Sequence, residues 1–251
     1  MVQLTNEEKA KLCQNVAEHL SSLRRLLKLS QARFGELAGI SRARIIRVEN
    51  GSAHLSWGQM TSLLCVCLAD RRSKEYLYAN NVLGPRFLQY MQQRDANVPP
   101  QTNITVCDEL MAVWREGIGT LPKGSNTPVV FTREERLAFC EHFLHCLPDL
   151  RRTMRLSQAL YAELAGLSRA RLIQLEKKKV RLSWSQMTSL LCVCLTSLRA
   201  KEYIYANNIL PVRFLQYMQQ KSASAFPETN ITVPKSVVMS YREMLRLSAE
   251  A

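Results

Sequence analysis

The chain has 251 residues, of which 47% are hydrophobic and 22% charged, proportions typical of a folded globular protein rather than a disordered one. Lysine and arginine number 34 against 21 acidic residues, and the resulting net charge of +13 favours an acidic partner, with nucleic acid as the first candidate. The opening MVQLTNEEKAKL carries acids where a signal peptide carries bases, and the longest apolar run, Leu63–Ala69, is far shorter than the roughly 20 residues of a membrane span. We therefore expect an intracellular protein whose cysteines are reduced thiols.

The apolar residues of the first 93 positions recur at helical spacing, which predicts a series of helices. Three serines that can cap a helix, Ser30, Ser41 and Ser56, each precede one of them, and Gly39 is placed to end another. The predicted helices are Asn15–Leu29, Gln31–Ala38, Arg42–Glu49, Trp57–Leu68, Ser73–Asn81 and Pro85–Gln93. Because no stretch alternates as a strand would, the sequence predicts an all-α fold.

The chain contains the same unit twice, and a shift of 127 residues aligns the two copies without a gap. The segment RFLQYMQQ occurs at Arg86–Gln93 and again at Arg213–Gln220, and TNITV begins at both Thr102 and Thr229. A stretch rich in Gly, Pro, Ser and Thr separates the copies. We therefore predict two homologous multi-helix domains, residues 1–117 and 132–251, joined by a linker of residues 118–131.

The second and third predicted helices and the short turn between them form a recognisable pattern. In the first copy the pattern reads S-Q-x-x-x-x-E-L-A-G-I-S-R-x-x-I-x-x-x-E-N-G from Ser30 to Gly51. It resembles the lambda-repressor and Cro-like helix-turn-helix family of DNA-binding domains, also known as the xenobiotic-response-element family. The resemblance covers Ser21–Leu68 and Pro148–Leu195, and the second copy departs from it where Lys177-Lys178 replaces Asn50-Gly51.

The resemblance implies that the second helix of the motif lies in the major groove and presents its first residues to base edges. Carried onto this sequence, the base-reading candidates are Arg42, Ala43, Arg44 and Arg47, and in the second copy Arg169, Ala170, Arg171 and Gln174. Arginine can make a bidentate pair with guanine and glutamine with adenine, while alanine can touch a thymine methyl group.

A second set of residues is predicted to contact phosphates. The family uses the glutamine that opens the preceding helix, here Gln31 and Gln158, and the basic run after the second copy's motif adds Lys177, Lys178, Lys179 and Arg181. Positions 24–54 carry seven basic and two acidic residues, and positions 151–181 carry nine and two, so these two segments hold nearly the whole net charge. For Arg24 and Arg25, phosphate contact and a solvated helix face remain equal alternatives.

The paired cysteines, two glutamates and the histidines could suggest metal binding or catalysis, but their positions indicate structural roles. Cys65 and Cys67 lie two apart on an apolar helix, where their side chains diverge and act as small core residues, and Cys192 and Cys194 repeat them. Glu49 and Glu176, which end the third helix of each copy, are expected to bond to the backbone or to a nearby arginine. The histidines show no repeated ligand or triad spacing, so we expect no metal, no cofactor, no catalytic residue and no enzymatic activity.

An aromatic stripe, Phe87, Tyr90 and Met91, recurs as Phe214, Tyr217 and Met218. This stripe either closes the core of its own copy or pairs with its repeat across a pseudo-twofold axis within the chain. A homodimer is the alternative way of pairing, between two chains.

These features together predict a cytoplasmic, nucleoid-associated regulator of transcription whose partner is double-stranded DNA with two related half-sites. We expect no membrane partner. Two alternatives stay open. One is an accessory factor of a plasmid or mobile-element origin, and the other is a protein-binding antiactivator or antitoxin built on the same fold.

Overall fold

The computed structural model describes residues 1–118, 126–239 and 243, and most of these residues are helical. Within these ranges no strand forms, and one isolated antiparallel bridge joins Pro128 and Ser222. The prediction of an all-α fold is confirmed. None of the helices in the described ranges has the length and apolar character that crossing a membrane requires.

The helices group into two compact units, of which unit 1 comprises Met1–Asn103 and the segment that begins at Ile231. Its helices are α1 (Asn6–Leu26), α2 (Gln31–Ala38), α3 (Arg42–Glu49), α4 (Trp57–Leu68), α5 (Arg71–Ala79) and α6 (Gly84–Met91), and residues 235–239 are also helical. The apolar face of α1 packs on α3 and α4, and α2 packs on both of these helices. Val16, Leu20, Phe34, Ile45 and Leu63 form the fully buried centre of this core.

Unit 2 comprises Ile104–Asn230. Its helices are α7 (Asp108–Ile118), α8 (Arg133–Thr153), α9 (Gln158–Leu164), α10 (Arg169–Glu176), α11 (Trp184–Leu195), α12 (Leu198–Ala206) and α13 (Val212–Met218). Helices α8 to α13 repeat the arrangement of α1 to α6, and Phe143, Leu147, Tyr161, Leu172 and Leu190 form the buried centre.

Each unit contains the last segment of the other sequence copy, held by the repeated TNITV residues. In unit 1, the Asn103 amide donates to the Val233 carbonyl at 3.3 Å and accepts from the Val233 N–H at 2.9 Å. In unit 2, Asn230 makes the same two bonds to the backbone of Val106, both at 3.0 Å. The copies defined by sequence and the units defined by packing therefore have different boundaries.

A buried lysine in each unit holds the exchanged segment. Lys74 Nζ on α5 donates to the Ile231 carbonyl at 2.6 Å, and Lys201 Nζ on α12 donates to the Ile104 carbonyl at 2.6 Å. Beyond this contact in unit 2, α7 packs on α12, and the indole ring of Trp114 meets the ring of Tyr205 edge-on at 5.4 Å.

The predicted linker lies partly outside the described residues, because positions 119–125 are not among them. Of the rest, Val129 and Phe131 are buried in unit 2, where the Val129 N–H donates to the Lys221 carbonyl at 2.9 Å. The end of the second predicted domain, residues 240–242 and 244–251, also lies outside the described ranges.

The repeated aromatic stripes lie in the core of their own unit. Phe87 and Tyr90 are buried in unit 1, where their rings meet that of Trp57 at 6.0 and 5.9 Å, and Phe214 and Tyr217 meet Trp184 in the same way in unit 2. Of the two alternatives for this stripe, the core role is confirmed. The stripe consequently offers little surface for pairing or for a protein partner.

The paired cysteines also belong to the cores. Cys65, Cys67, Cys192 and Cys194 are buried on α4 and α11, which confirms the packing role predicted for them. Burial raises the pKa of Cys192 and Cys194 to about 12, so both stay protonated thiols at neutral pH.

Candidate nucleic-acid interface

Helices α2 and α3 are two eight-residue helices separated by a tight turn. The Ser30 hydroxyl caps α2 by accepting from the Arg33 N–H at 3.1 Å, and Gly39 adopts the left-handed conformation, with φ of +69°, that ends the helix. Two residues later the Ser41 hydroxyl caps α3 by accepting from the Arg44 N–H at 3.3 Å. These local bonds confirm the predicted caps and fix the direction in which α3 leaves the turn.

Unit 2 builds the same pair from α9 and α10. Ser157 and Ser168 cap the two helices, and Gly166 takes the left-handed conformation between them at φ of +70°. The hydroxyl of Ser189 on α11 donates to the Ala165 carbonyl at 2.5 Å, and Ser62 on α4 makes the matching bond to Ala38 in unit 1. Each helix pair is thus anchored to the long core helix that follows it.

The second helix of each pair buries one side and exposes the other. Ile45 and Val48 of α3 are buried, as are Leu172 and Leu175 of α10. The residues left exposed are Arg42, Ala43 and Arg47 on α3 and Arg169, Ala170 and Gln174 on α10. Six of the eight candidate base-reading residues therefore face outward.

The other two candidates, Arg44 and Arg171, are half-buried and bonded within their own unit. The Arg44 guanidinium donates to the His54 carbonyl and to Gln59 Oε1, the latter at 3.3 Å. Arg171 donates to the Arg181 carbonyl at 2.8 Å and to Gln186 Oε1 at 3.2 Å. These contacts tie the second helix both to the loop before α4 or α11 and to the first turn of that helix, a connection that helical spacing alone does not reveal.

A buried ion pair closes the end of α3 in unit 1. Arg24 Nε on α1 donates to Glu49 Oε1 at 2.6 Å, and the two side chains are only 14% and 6% exposed. The Gln31 amide donates to Glu49 Oε2 at 2.7 Å, and the Arg24 guanidinium also donates to the Leu29 carbonyl at 2.9 Å. One carboxylate thus joins α1, α2 and α3.

Unit 2 repeats this network around Glu176. Arg151 Nε donates to Glu176 Oε1 at 2.6 Å, and the Gln158 amide donates to Glu176 Oε2 at 2.5 Å. The structural role expected for Glu49 and Glu176 is confirmed. These two carboxylates are therefore faced by the amides of Gln31 and Gln158 and by the guanidinium groups of Arg24 and Arg151.

The charges around Glu49 keep it ionised despite its burial. Burial alone acts to raise the pKa of this carboxyl group, but the hydrogen bonds from Arg24 and Gln31 and the charges of Arg24 and Arg25 outweigh burial. The pKa of Glu49 therefore lies below its ordinary value, and at neutral pH the network contains a full ion pair.

A comparison with known protein families identifies this arrangement. The family model described as helix-turn-helix matches residues 20–56, which span the end of α1, the α2–α3 pair and the loop up to the cap of α4. Residues 20–56 are a helix-turn-helix motif. The match supports DNA binding by this segment, since the family is a DNA-binding one. Members of the family are generally non-enzymatic. No curated protein and no solved structure matches the chain.

The loop after the helix-turn-helix differs in charge between the units but keeps one backbone conformation. Gly51 ends α3 with φ of +72°, and Lys178 occupies the same position after α10 with φ of +55°. The replacement of Asn-Gly by Lys-Lys thus leaves the helix exit intact. Lys177, Lys179 and Arg181 are exposed along this loop, and Lys178 Nζ lies 2.6 Å from His145 Nδ1.

The left-handed backbone at Lys178 gives a stability prediction. A residue with a Cβ is strained there, so Lys178→Gly is expected to raise the free energy of unfolding by about 0.5–1 kcal/mol, after the greater freedom of glycine in the unfolded chain is subtracted. Gly51→Lys is the matched control. It puts a Cβ on left-handed backbone and should lower the free energy of unfolding by a similar amount, and since only open space surrounds that Cβ, no clash adds to the strain. Urea denaturation measures both, and a Lys178→Gly variant less stable than the wild type would contradict the strain.

Among the residues that the structure describes, no group of three or more His, Cys, Asp or Glu side chains is arranged so that it could hold a metal ion.

Proposed function

We propose that this protein binds double-stranded DNA sequence-specifically as a transcriptional regulator, with two tandem helix-turn-helix elements in one chain that read two similar half-sites. The observation that carries the proposal is the exposed face of α3 together with its repeat on α10. The same capped, internally bonded framework presents Arg42, Ala43 and Arg47 in unit 1 and Arg169, Ala170 and Gln174 in unit 2.

In this proposal the exposed side chains divide by role. Arg42, Arg47, Arg169 and Gln174 donate to base edges in the major groove, and Ala43 and Ala170 contact thymine methyl groups. Lys177, Lys178, Lys179 and Arg181 contact phosphates, which fix the position on the duplex without reading its sequence. The contacts of Arg44, Arg171, Gln31 and Gln158 favour a positioning role, because each already bonds to another part of its motif.

Carrying both elements on one chain lets the protein act as an internal pseudo-dimer. Helix-turn-helix proteins commonly pair to read two half-sites in successive major grooves, about 34–36 Å apart on one face of the duplex. A fused pair gives this arrangement without a second molecule and allows the two elements to differ. They do differ here, because Arg47 of unit 1 corresponds to Gln174 of unit 2.

This difference predicts an imperfectly symmetric site. Selection of bound sequences from a random duplex pool should yield two related half-sites, one with guanine and the other with adenine at the base that faces this position. Gln174→Arg should shift the second half-site toward guanine, and the reciprocal control Arg47→Gln should shift the first toward adenine. If neither variant changes the selected bases, these residues do not read them.

A further inference from the structure

A basic residue occupies a left-handed turn just before the helix-turn-helix in each unit. Lys28, which follows α1, has φ of +56°, and Arg155, at the same position after α8, has φ of +58°. The residue that ends a helix in this conformation is usually glycine, because a residue with a Cβ is strained there. Both units therefore place a long cationic side chain where the backbone favours glycine.

The other left-handed residues that have a Cβ show local reasons for their presence. In the described ranges they are Asn81, Gln93, Lys178, Asn208 and Gln220. Asparagine tolerates the conformation, the two glutamines donate to a carbonyl of the helix that they follow, and the lysine ammonium lies 2.6 Å from a histidine nitrogen. Lys28 and Arg155 differ from these five, since both are exposed and no described residue forms a hydrogen bond or ion pair with either side chain.

The turn that carries Lys28 is held firmly against the motif. The Lys28 N–H donates to the Arg25 carbonyl at 2.9 Å, and the Leu29 N–H donates to the Arg24 carbonyl at 3.1 Å. The guanidinium of Arg24, which pairs with Glu49 at the end of α3, also donates to the Leu29 carbonyl at 2.9 Å. The same bonds recur around Arg155 in unit 2, so the backbone of each turn has a fixed position relative to the second helix of its motif.

The acidic residues of this part of unit 1 are already paired. Positions 24–54 contain two of them, of which Glu49 pairs with Arg24 at 2.6 Å and Glu36 with Arg33 at 2.7 Å. The charge of Lys28 therefore belongs to the positive excess of the motif. An anion from outside the chain is its complementary partner.

The position of the turn indicates which anion. In helix-turn-helix complexes the first helix of the motif crosses the sugar–phosphate backbone, while the second lies in the major groove. Lys28 and Arg155 precede by two residues the serines that cap this first helix, Ser30 before α2 and Ser157 before α9. Each cation thus lies at the end of the helix that crosses the phosphates.

We propose that Lys28 and Arg155 are further phosphate contacts, one at each half-site, and that the strained turn serves this contact. The inference rests on the proposed DNA binding and adds two residues to its interface. A cation near a helix C-terminus also stabilises that helix, so the test must separate DNA binding from stability.

Glycine substitution makes this separation, because it should move affinity and stability in opposite directions. In the full chain with the duplex selected from the random pool, Lys28→Gly and Arg155→Gly should each flatten the slope of log K against log salt by about 0.9, and the double variant by about 1.8. The preferred sequence should not change. Relief of strain should keep the melting temperature at or above that of the wild type.

Ethylation interference locates the two contacts on the duplex. Ethylation of a phosphate that the protein neutralises weakens binding, so Lys28→Gly should remove one such position in one half-site and Arg155→Gly one in the other. Lys28→Arg should restore the slope that Lys28→Gly loses, because it returns the charge. Asn81→Gly is the matched control, a left-handed position outside the motif, and should leave both the slope and the interference pattern unchanged.

The salt slopes and melting temperatures of the glycine variants decide the proposal. Slopes equal to that of the wild type, or flatter slopes in variants that melt earlier than the wild type, would overturn it. If Arg42→Ala with Arg169→Ala still removes the sequence preference in that case, the proposed function survives. A wild type that binds no duplex would overturn both.

Discussion

Glu49→Ala is expected to lower the free energy of unfolding by about 3–5 kcal/mol, because it leaves the buried guanidinium of Arg24 without its counter-ion. The same change also takes the acceptor from Gln31, which links α2 to α3. Denaturation of the purified chain with urea measures the change. Glu36→Ala is the matched control, since the Arg33–Glu36 pair is more exposed and its removal should cost under about 1 kcal/mol.

The pH dependence of stability provides a second check on this ion pair. Since the pKa of Glu49 is lower in the folded chain than in the unfolded one, its contribution is fully present above the unfolded value of about 4.3 and is lost as the pH falls through the folded value. The stability gap between the wild type and Glu49→Ala should therefore narrow in acid. A gap that is small at neutral pH, or unchanged in acid, would contradict an ionised buried pair.

Arg42→Ala combined with Arg169→Ala is expected to remove most of the sequence preference for DNA. Each bidentate arginine–guanine pair contributes about 1–3 kcal/mol of discrimination, so the ratio of specific to non-specific affinity should fall roughly fivefold to 150-fold for each arginine. Both side chains are exposed and lie at the first position of their helix, so the fold should be retained. Competition between selected and scrambled duplexes measures the ratio.

The lysines after α10 provide the contrasting variant. Replacing Lys177, Lys178 and Lys179 with alanine should weaken binding to every duplex alike, and the slope of log K against log salt should flatten by about 0.9 for each phosphate that the protein no longer neutralises. Arg199→Ala removes an exposed charge elsewhere in unit 2 and should leave the slope unchanged. If the arginine and lysine variants reduce affinity and specificity in the same proportion, the division into base and phosphate contacts is wrong.

Local signals allow the centre of each motif to be predicted well. The caps at Ser30, Ser41 and Ser56 and the left-handed Gly39 each depend on bonds between residues a few positions apart, and the structure has all of them. The predicted helices α2, α3 and α4 consequently have the observed bounds. Helix α1 begins nine residues earlier than predicted, at Asn6, although Thr5 and Glu8 form a capping box whose spacing is visible in the sequence.

Helix α7 is not among the predicted helices, although Met111 and Trp114 recur at helical spacing and Asp108 and Glu109 place acidic residues in its first turn. The contacts that depend on distant residues, by contrast, leave no local signal. The roles of Arg44 and Arg171 depend on carbonyls ten residues away in the chain, and no periodicity reveals such a bond.

The exchanged segments illustrate a further limit. Because TNITV occurs in both copies, the sequence offers Asn103 and Asn230 two chemically equivalent partner segments each. The structure pairs Asn103 with Val233 and Asn230 with Val106, a choice that two identical segments do not specify.

Methylation protection of guanine N7 shows whether one chain reads two half-sites, because this atom lies in the major groove where arginine binds it. The full chain is mixed with a duplex selected from the random pool, and the protected guanines are mapped on both strands. We expect two clusters of protection in related sequences, with centres about 10–10.5 base pairs or a multiple of that apart, and Arg169→Ala should remove one of them. A single cluster, or two clusters that both survive Arg169→Ala, would contradict the reading of two half-sites by one chain.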